Sequence, residues 1–166
     1  MVTTLFLAVL LLATLLCALV AGFLFAFAVV VMPGIATLDD VGFLRAFQVV
    51  DRVIQNSQPL FVLVWVGSVL TVIAAAGLGV WTVAGLDRVL VIVAALLYVV
   101  GVQGPTAIVN IPMNNQIQRL DVAAMTDGTR RSARETFERR WNRWNILRTH
   151  VALFVTALLL LVVLRA

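Results

Sequence analysis

Lysine is missing from this chain; all of its basic residues are arginine. That excludes a Schiff-base amine, a lysine general base and a P-loop. Cysteine occurs once, as Cys17 within the first apolar run, so no internal disulfide, CxxC pair or cysteine-rich metal site can form. Histidine also occurs once, as His150, which rules out a paired-histidine metal or haem site built by a single chain. Charge is scarce. Only 12% of the 166 residues are charged and 63% are hydrophobic, against about a quarter and about half in soluble domains. The composition is that of an integral membrane protein, and the length suits one domain over residues 1–166.

Four apolar runs reach the ~20 residues a bilayer requires. They cover about 3–31, 59–80, 89–111 and 147–164. The first lacks a basic leader and stays apolar from Leu5 to Met32, too long for a signal-peptide core, so it is expected to be a retained span. In the second, Gly67, Ser68, Thr71, Ala75 and Gly79 offer small surfaces for close helix packing. In the third, Gln103 precedes a kink candidate at Gly104-Pro105. The expected fold class is therefore all-α. It is a four-transmembrane-helix bundle, with an amphipathic helix between spans 1 and 2 and a basic helix leading into span 4.

Spans two and three are joined by the tight turn "WTVAGLDR"; the other two connections are long and share one side. In the first, "TLDDVGFLRAFQVVDRVIQN" reads as an amphipathic helix capped by Thr37 with Asp40. Phe43, Phe47, Val50 and Ile54 fall on one face, and Gln48, Asp51, Arg52 and Gln55 on the other. The second long connection turns at Asp127-Gly128 before a basic helix with pairs Arg131–Glu135, Arg134–Glu138 and Glu135–Arg139 at helical spacing. Its remaining charge suits anionic lipid headgroups rather than nucleic acid. Ten arginines lie on the long-connection side, against Arg88 and Arg165 opposite. The positive-inside rule then puts the long loops in the cytoplasm and both termini outside, with the bacterial inner membrane as the expected location. Homo-oligomerisation is left open.

Three groups of residues carry candidate chemistry. In "WNRWNILRT", helical spacing puts Trp141, Trp144, Asn145 and Arg148 on one stripe, extended outward by Phe137 and Arg134. Such a stripe can stack a flat aromatic ligand and bond its oxygens. It also fits an interfacial belt of Trp and Arg anchors, although amides and guanidinium at a span edge usually face protein. In "NIPMNNQ", Asn110 ends span three, Pro112 breaks the helix, and Asn114 and Asn115 follow. This reads equally as a capped helix end or as the wall of a polar pocket. Gln48 and Asp51 read as a solvated face; if that helix folds over the bundle mouth, Asp51 is the best carboxylate for proton abstraction. His150 falls nearly opposite Arg148 and suits an interfacial role. Copper held by His150 with Met32 or Met113 gains no support from spacing.

"GFLFAFAVVVMPGI", "AFQVVDRVIQNSQPLF", "NIPMNNQI" and "WNRWNILRTH" occur in that order. Together they resemble the anthrone-oxygenase-like family of small four-helix membrane proteins, over nearly the whole chain. The family's proline after span one corresponds to Pro33, and its Gln and Asn on the next helix to Gln48 and Asp51. Its Asn-x-Pro-x-Asn corresponds to Asn110, Pro112 and Asn114, and its closing Trp, Asn, Arg and Thr to Trp141 or Trp144, Asn145, Arg148 and Thr149. Two positions depart: Asp51 stands where the family often has asparagine, and Ile146 where many members have histidine. The resemblance implies an oxygenase that turns an anthrone into an anthraquinone with O2 as co-substrate and no flavin, haem or other cofactor. Asp51, Asn145 and Arg148 would be catalytic; Gln48, Asn110, Asn114, Trp141 and Trp144 would bind a lipophilic aromatic molecule. The alternatives are a non-catalytic membrane subunit or small-molecule module, and a metal-dependent membrane oxidase.

Overall fold

The computed structural model describes residues 2–165. Five helices follow one another: α1 Val2–Ala36, α2 Asp40–Gln55, α3 Pro59–Thr82, α4 Gly85–Gln118 and α5 Asp127–Arg165. All but α2 are long and apolar enough to cross a membrane, as expected for an integral membrane four-span bundle. At 1.5 Å per residue, α5 is roughly 58 Å long, about twice the hydrocarbon thickness, so its first half projects beyond the bilayer.

The spans pack through seams at helical spacing. Phe6, Leu10, Ala13, Cys17, Val20 and Leu24 of α1 are buried against Val72 and Ala75 of α3, Val91, Ala94 and Tyr98 of α4, and Ala152, Val155 and Leu159 of α5. Small residues set the approach. A Cβ on Gly101 would lie 2.9 Å from Val151 Cγ1. Leucines and valines on the outward faces are exposed, as a lipid-facing surface requires. Ser68 Oγ and Tyr98 OH satisfy each other at 2.6 Å within this apolar core.

Helices α1 and α4 run further than the sequence predicts, because their prolines do not end them. Pro33, Pro105 and Pro112 are each preceded by a wide turn, at Phe27–Val31, Tyr98–Gln103 and Thr106–Asn110. In each, the residue just before the proline donates five residues back: Met32 to Phe27, Gly104 to Val99, and Ile111 to Thr106. Proline lacks a donor, and a π turn lets the helix absorb that loss and continue. Pro112 therefore does not break span three, contrary to expectation; α4 continues to Gln118.

A second core forms at the end carrying the long connections. Phe43, Leu44 and Phe47 of α2 pack with Met32, Met113, Ile117, Phe137 and Trp141. The cap of α2 is Asp39, which accepts from the Gly42 N–H at 2.7 Å; Thr37 instead donates to the Gly34 carbonyl. The inward face of α2 also differs from the expected one. Gln48 and Asp51 are buried, whereas Val49, Val50 and Val53 are exposed. Of the expected pairs on α5, Arg134–Glu138 forms at 2.9 Å. Arg131 instead sits 3.9 Å from Asp40, and Glu135 has no ion pair among the described residues.

Arg134 fastens α5 to the α1–α2 connection. It donates to the carbonyls of Ala36 (2.7 Å) and Leu38 (2.8 Å) and to Asp40, and lies 4.6 Å above the Phe43 ring. Arg134→Met keeps the stem but removes every donor. It should lower unfolding free energy by roughly 2–3 kcal/mol, since bonds to charged groups contribute about 1.5–3 kcal/mol each and part of that returns as hydration. Thermal melting in detergent measures this; an unchanged midpoint would remove the clamp role.

Candidate functional site

A cavity of about 180 Å³ lies where the two cores meet. Six aromatic residues line it: Phe23 and Phe27 of α1, Phe47 of α2, Phe61 and Trp65 of α3, and Trp141 of α5. Phe61 stacks on Trp65 at 5.3 Å between centroids; Phe23 meets both rings edge-on, and Trp141 contacts Phe27 and Phe47 at 5.7 Å. The polar lining consists of Asp51, Thr106, Asn110, Asn114, Asn145 and Arg148. Apolar cavities of ~150 Å³ accept benzene, so this one encloses part of a flat fused-ring molecule and leaves its remaining rings and substituents at its mouth.

Helix register presents these polar groups. Thr106, Asn110 and Asn114 follow one another at spacing four on α4, and the wide turn takes up the drift an α-helix accumulates over two turns. Three of the four residues of the expected stripe on α5, Trp141, Asn145 and Arg148, are buried. Arg148 donates to Thr106 Oγ1 (2.8 Å) and Asn145 Oδ1 (3.0 Å), while its Nε has no partner. No acid lies within ion-pair distance of Arg148 among the described residues. Asn145 donates to the Leu24 carbonyl at 3.0 Å, just before the first wide turn. Asn110 is 2% exposed, and neither its Nδ2 nor its Oδ1 has a partner.

Asp51 closes the opposite end. Its Oδ1 accepts from Asn114 Nδ2 at 2.7 Å, and its Oδ2 from Gln55 (2.8 Å) and Gln118 (2.9 Å). A carboxylate offers about four acceptor sites, so one remains on Oδ1. Asn114 also accepts from the Trp141 indole at 2.8 Å, which sets its amide orientation and links the carboxylate to the aromatic wall.

Six residues expected at a site, Asp51, Asn110, Asn114, Trp141, Asn145 and Arg148, thus line one cavity. Two others do not. Gln48 donates to the Ile117 and Leu120 carbonyls at 2.8 and 3.0 Å, capping the end of α4. Trp144 packs on the outer edge of the second core, because it falls at one margin of the stripe, about 60° from Trp141 and about 100° from Asn145. Ile146 is exposed beside Met32 and Pro33, so a histidine there would sit outside the cavity lining. His150 is exposed, with Nδ1 2.8 Å from the Ile146 carbonyl, while Met32 and Met113 are buried in the second core. Among the described residues no cluster of three His, Cys, Asp or Glu side chains could hold a metal ion.

Sequence reasoning missed Thr106 and most of the aromatic wall. The available signals were Phe23/Phe27 and Phe61/Trp65, two aromatic pairs at helical spacing inside spans.

The family model described as Anthrone oxygenase matches residues 47–158, more than half of the chain. Every polar lining residue falls within that stretch. No curated protein and no solved structure matches the chain. The chain belongs to the anthrone oxygenase family.

Proposed function

We propose that this member of the anthrone oxygenase family binds a flat, lipophilic aromatic molecule in the α1–α5 cavity and oxidises it with O2. The carrying observation is Asn110: a buried amide with both polar atoms unpartnered, in the same aromatic-walled cavity as Arg148, whose Nε also lacks a partner. Buried polar groups are rarely left unbonded, because each lost bond costs about 1–3 kcal/mol. A ligand carbonyl and a ring hydroxyl would satisfy the Asn110 amide and the Arg148 N–H together.

The chemistry asks little of the protein. In an anthrone the ring CH2 is acidified by the carbonyl, because its anion is an extended phenolate. Asp51 takes that proton, with Asn114 fixing its orientation. Arg148 and Asn110 stabilise the oxyanion in a site walled by aromatic rings. The anion gives an electron to O2, the two radicals join at the same carbon, and Asp51 returns the proton to the peroxide. Loss of water leaves the second carbonyl, so one O2 converts CH2 into C=O and H2O. Binding without turnover is the second reading, favoured by Asp51 having three of its acceptor sites already filled.

Asn110→Leu tests the pocket with little risk to the fold, since it breaks no hydrogen bond within the protein. Lipophilic molecules co-purifying with wild type and variant should differ, with ligand content reduced roughly tenfold or more for a lost bond pair. Equal content by unbiased mass spectrometry, with equal or higher thermal stability, would remove the site.

A further inference from the structure

Two of the spans that line the cavity separate beside it. Helices α3 and α4 are joined by the short Val83–Ala84 turn and pack together near it. Beyond the Trp65 indole, which donates to Gln103 Oε1 at 3.0 Å, they part: α3 touches the Tyr98–Gln103 stretch lightly and makes at most isolated contacts with Thr106–Asn110 or with Ile111–Gln118. Phe61 and Ile111 line the cavity on either side of this cleft, and Ile111 is exposed. Leu60 and Leu63 of α3 and Ile108 of α4, on the same two spans, are also exposed. These residues belong to helices long and apolar enough to cross a membrane, and their exposed apolar side chains suit a lipid surface.

The polar side is latched. Gln55 donates to Asp51 Oδ2 at 2.8 Å and to Asn115 Oδ1 at 3.1 Å, tying the end of α2 to α4 next to the cavity. A site loaded from water would present its polar rim to water; here that rim is tied shut and the gap lies between apolar helix faces.

We propose that ligands reach the cavity laterally from the bilayer through the α3–α4 cleft, with Phe61 and Ile111 as doorposts. Apolar substituents too large for the cavity remain in the cleft. This rests on the ligand-binding reading above. It restricts the ligand to molecules that partition into lipid before they bind, with the polar ring edge entering first towards Asn110 and Arg148.

The test uses full-length protein in phosphatidylcholine vesicles and 1,8-dihydroxyanthraquinone as the probe, with binding read as quenching of tryptophan fluorescence after rapid mixing. Ile111→Trp should slow association and dissociation together by roughly tenfold, as a narrowed gate does. Phe61→Ala should accelerate both. Leu63→Trp, exposed on the side of α3 turned away from Phe61, should leave both rates unchanged, as should Asn115→Ala, which loosens the polar latch. Faster rates in Asn115→Ala with no effect of Ile111→Trp would place the route on the water side and overturn the proposal. If Ile111→Trp fails to fold, rates unaltered in Phe61→Ala would overturn it equally. A probe that binds wild type and Asn110→Leu alike sinks the pocket reading, and the portal with it. A probe that depends on Asn110 but ignores the doorposts sinks the portal alone.

Discussion

Arg148→Met is expected to raise the melting temperature while stripping the protein of its aromatic ligand. Arg148 is 4% exposed on a membrane-spanning helix, its donors meet only the neutral Thr106 and Asn145, and Nε meets nothing. Burying a guanidinium with no acid partner costs a few kcal/mol, on the order of the 2.5–3.5 kcal/mol that insertion scales give for arginine at a span centre. Methionine fills much of the same volume without the charge. Against that gain stands the Asn145 carbonyl oxygen, which loses its donor at about 1–2 kcal/mol. The Thr106 hydroxyl keeps its own bond to the Val102 carbonyl. The balance is about 1 kcal/mol in favour of the variant, an increase of about 2–4 °C for a chain of this size. Ligand affinity should move the other way by about tenfold to a hundredfold, because a hydrogen bond to a charged group contributes about 1.5–3 kcal/mol. Thermal unfolding and equilibrium binding on the same preparations check both signs. A lower melting temperature with unaltered binding would make Arg148 a strut between α4 and α5 rather than part of a site. A buried charge retained against stability is what a functional site looks like in energy.

How far the sequence reveals this arrangement depends on which solvent each face meets. The four spans and the Trp141–Asn145–Arg148 stripe are legible because apolar runs and helical spacing suffice to place them. The phase of α2 is not. The expected apolar face, centred on Phe43, Phe47, Val50 and Ile54, is rotated by roughly 60° from the buried one at 100° per residue. The buried face is Phe43, Leu44, Phe47, Gln48 and Asp51. Apolar periodicity assumes that the outside is water. Val49, Val50 and Val53 face outward near lipid, while the amide and carboxylate turn inward to bond with α4. The same inversion hides the aromatic wall, since Phe23, Phe61 and Trp65 inside apolar runs look like lipid contacts. Pro112 misleads for a different reason: a single wide turn satisfies the freed backbone, and nothing local in "NIPMNN" distinguishes a helix that stops from one that widens. Thr106 is equally silent, because a threonine in a span usually bonds its own helix, as this one also does.

Asp51→Asn carries the other large expected effect, on rate rather than stability. Asparagine matches aspartate in size and shape, so the fold should accept it. Its carbonyl oxygen can still receive the Asn114 amide, but its NH2 would face the Gln55 and Gln118 donors now 2.8 and 2.9 Å from Oδ2. Gln55 is exposed and can turn to water; Gln118 keeps its bond to the Gln48 carbonyl at 2.9 Å. The local loss is therefore about 1–2 kcal/mol, one buried mismatch. A neutral amide cannot take a proton from carbon. If Asp51 is the base, O2 uptake with 1,8-dihydroxyanthrone, corrected for the spontaneous reaction, should fall by about a hundredfold to ten-thousandfold. Ligand binding should change by less than about tenfold, since Asn110 and Arg148 keep their donors. That split separates catalysis from binding alone. Turnover equal to wild type would move the base elsewhere in the cavity. Absence of protein-dependent O2 uptake in wild type itself, alongside tight Asn110-dependent binding, would leave a binding module built on the scaffold of an oxygenase. In that case the carboxylate would serve to hold Asn114 and Trp141 in place, and Asp51→Asn should weaken binding through the slackened aromatic wall.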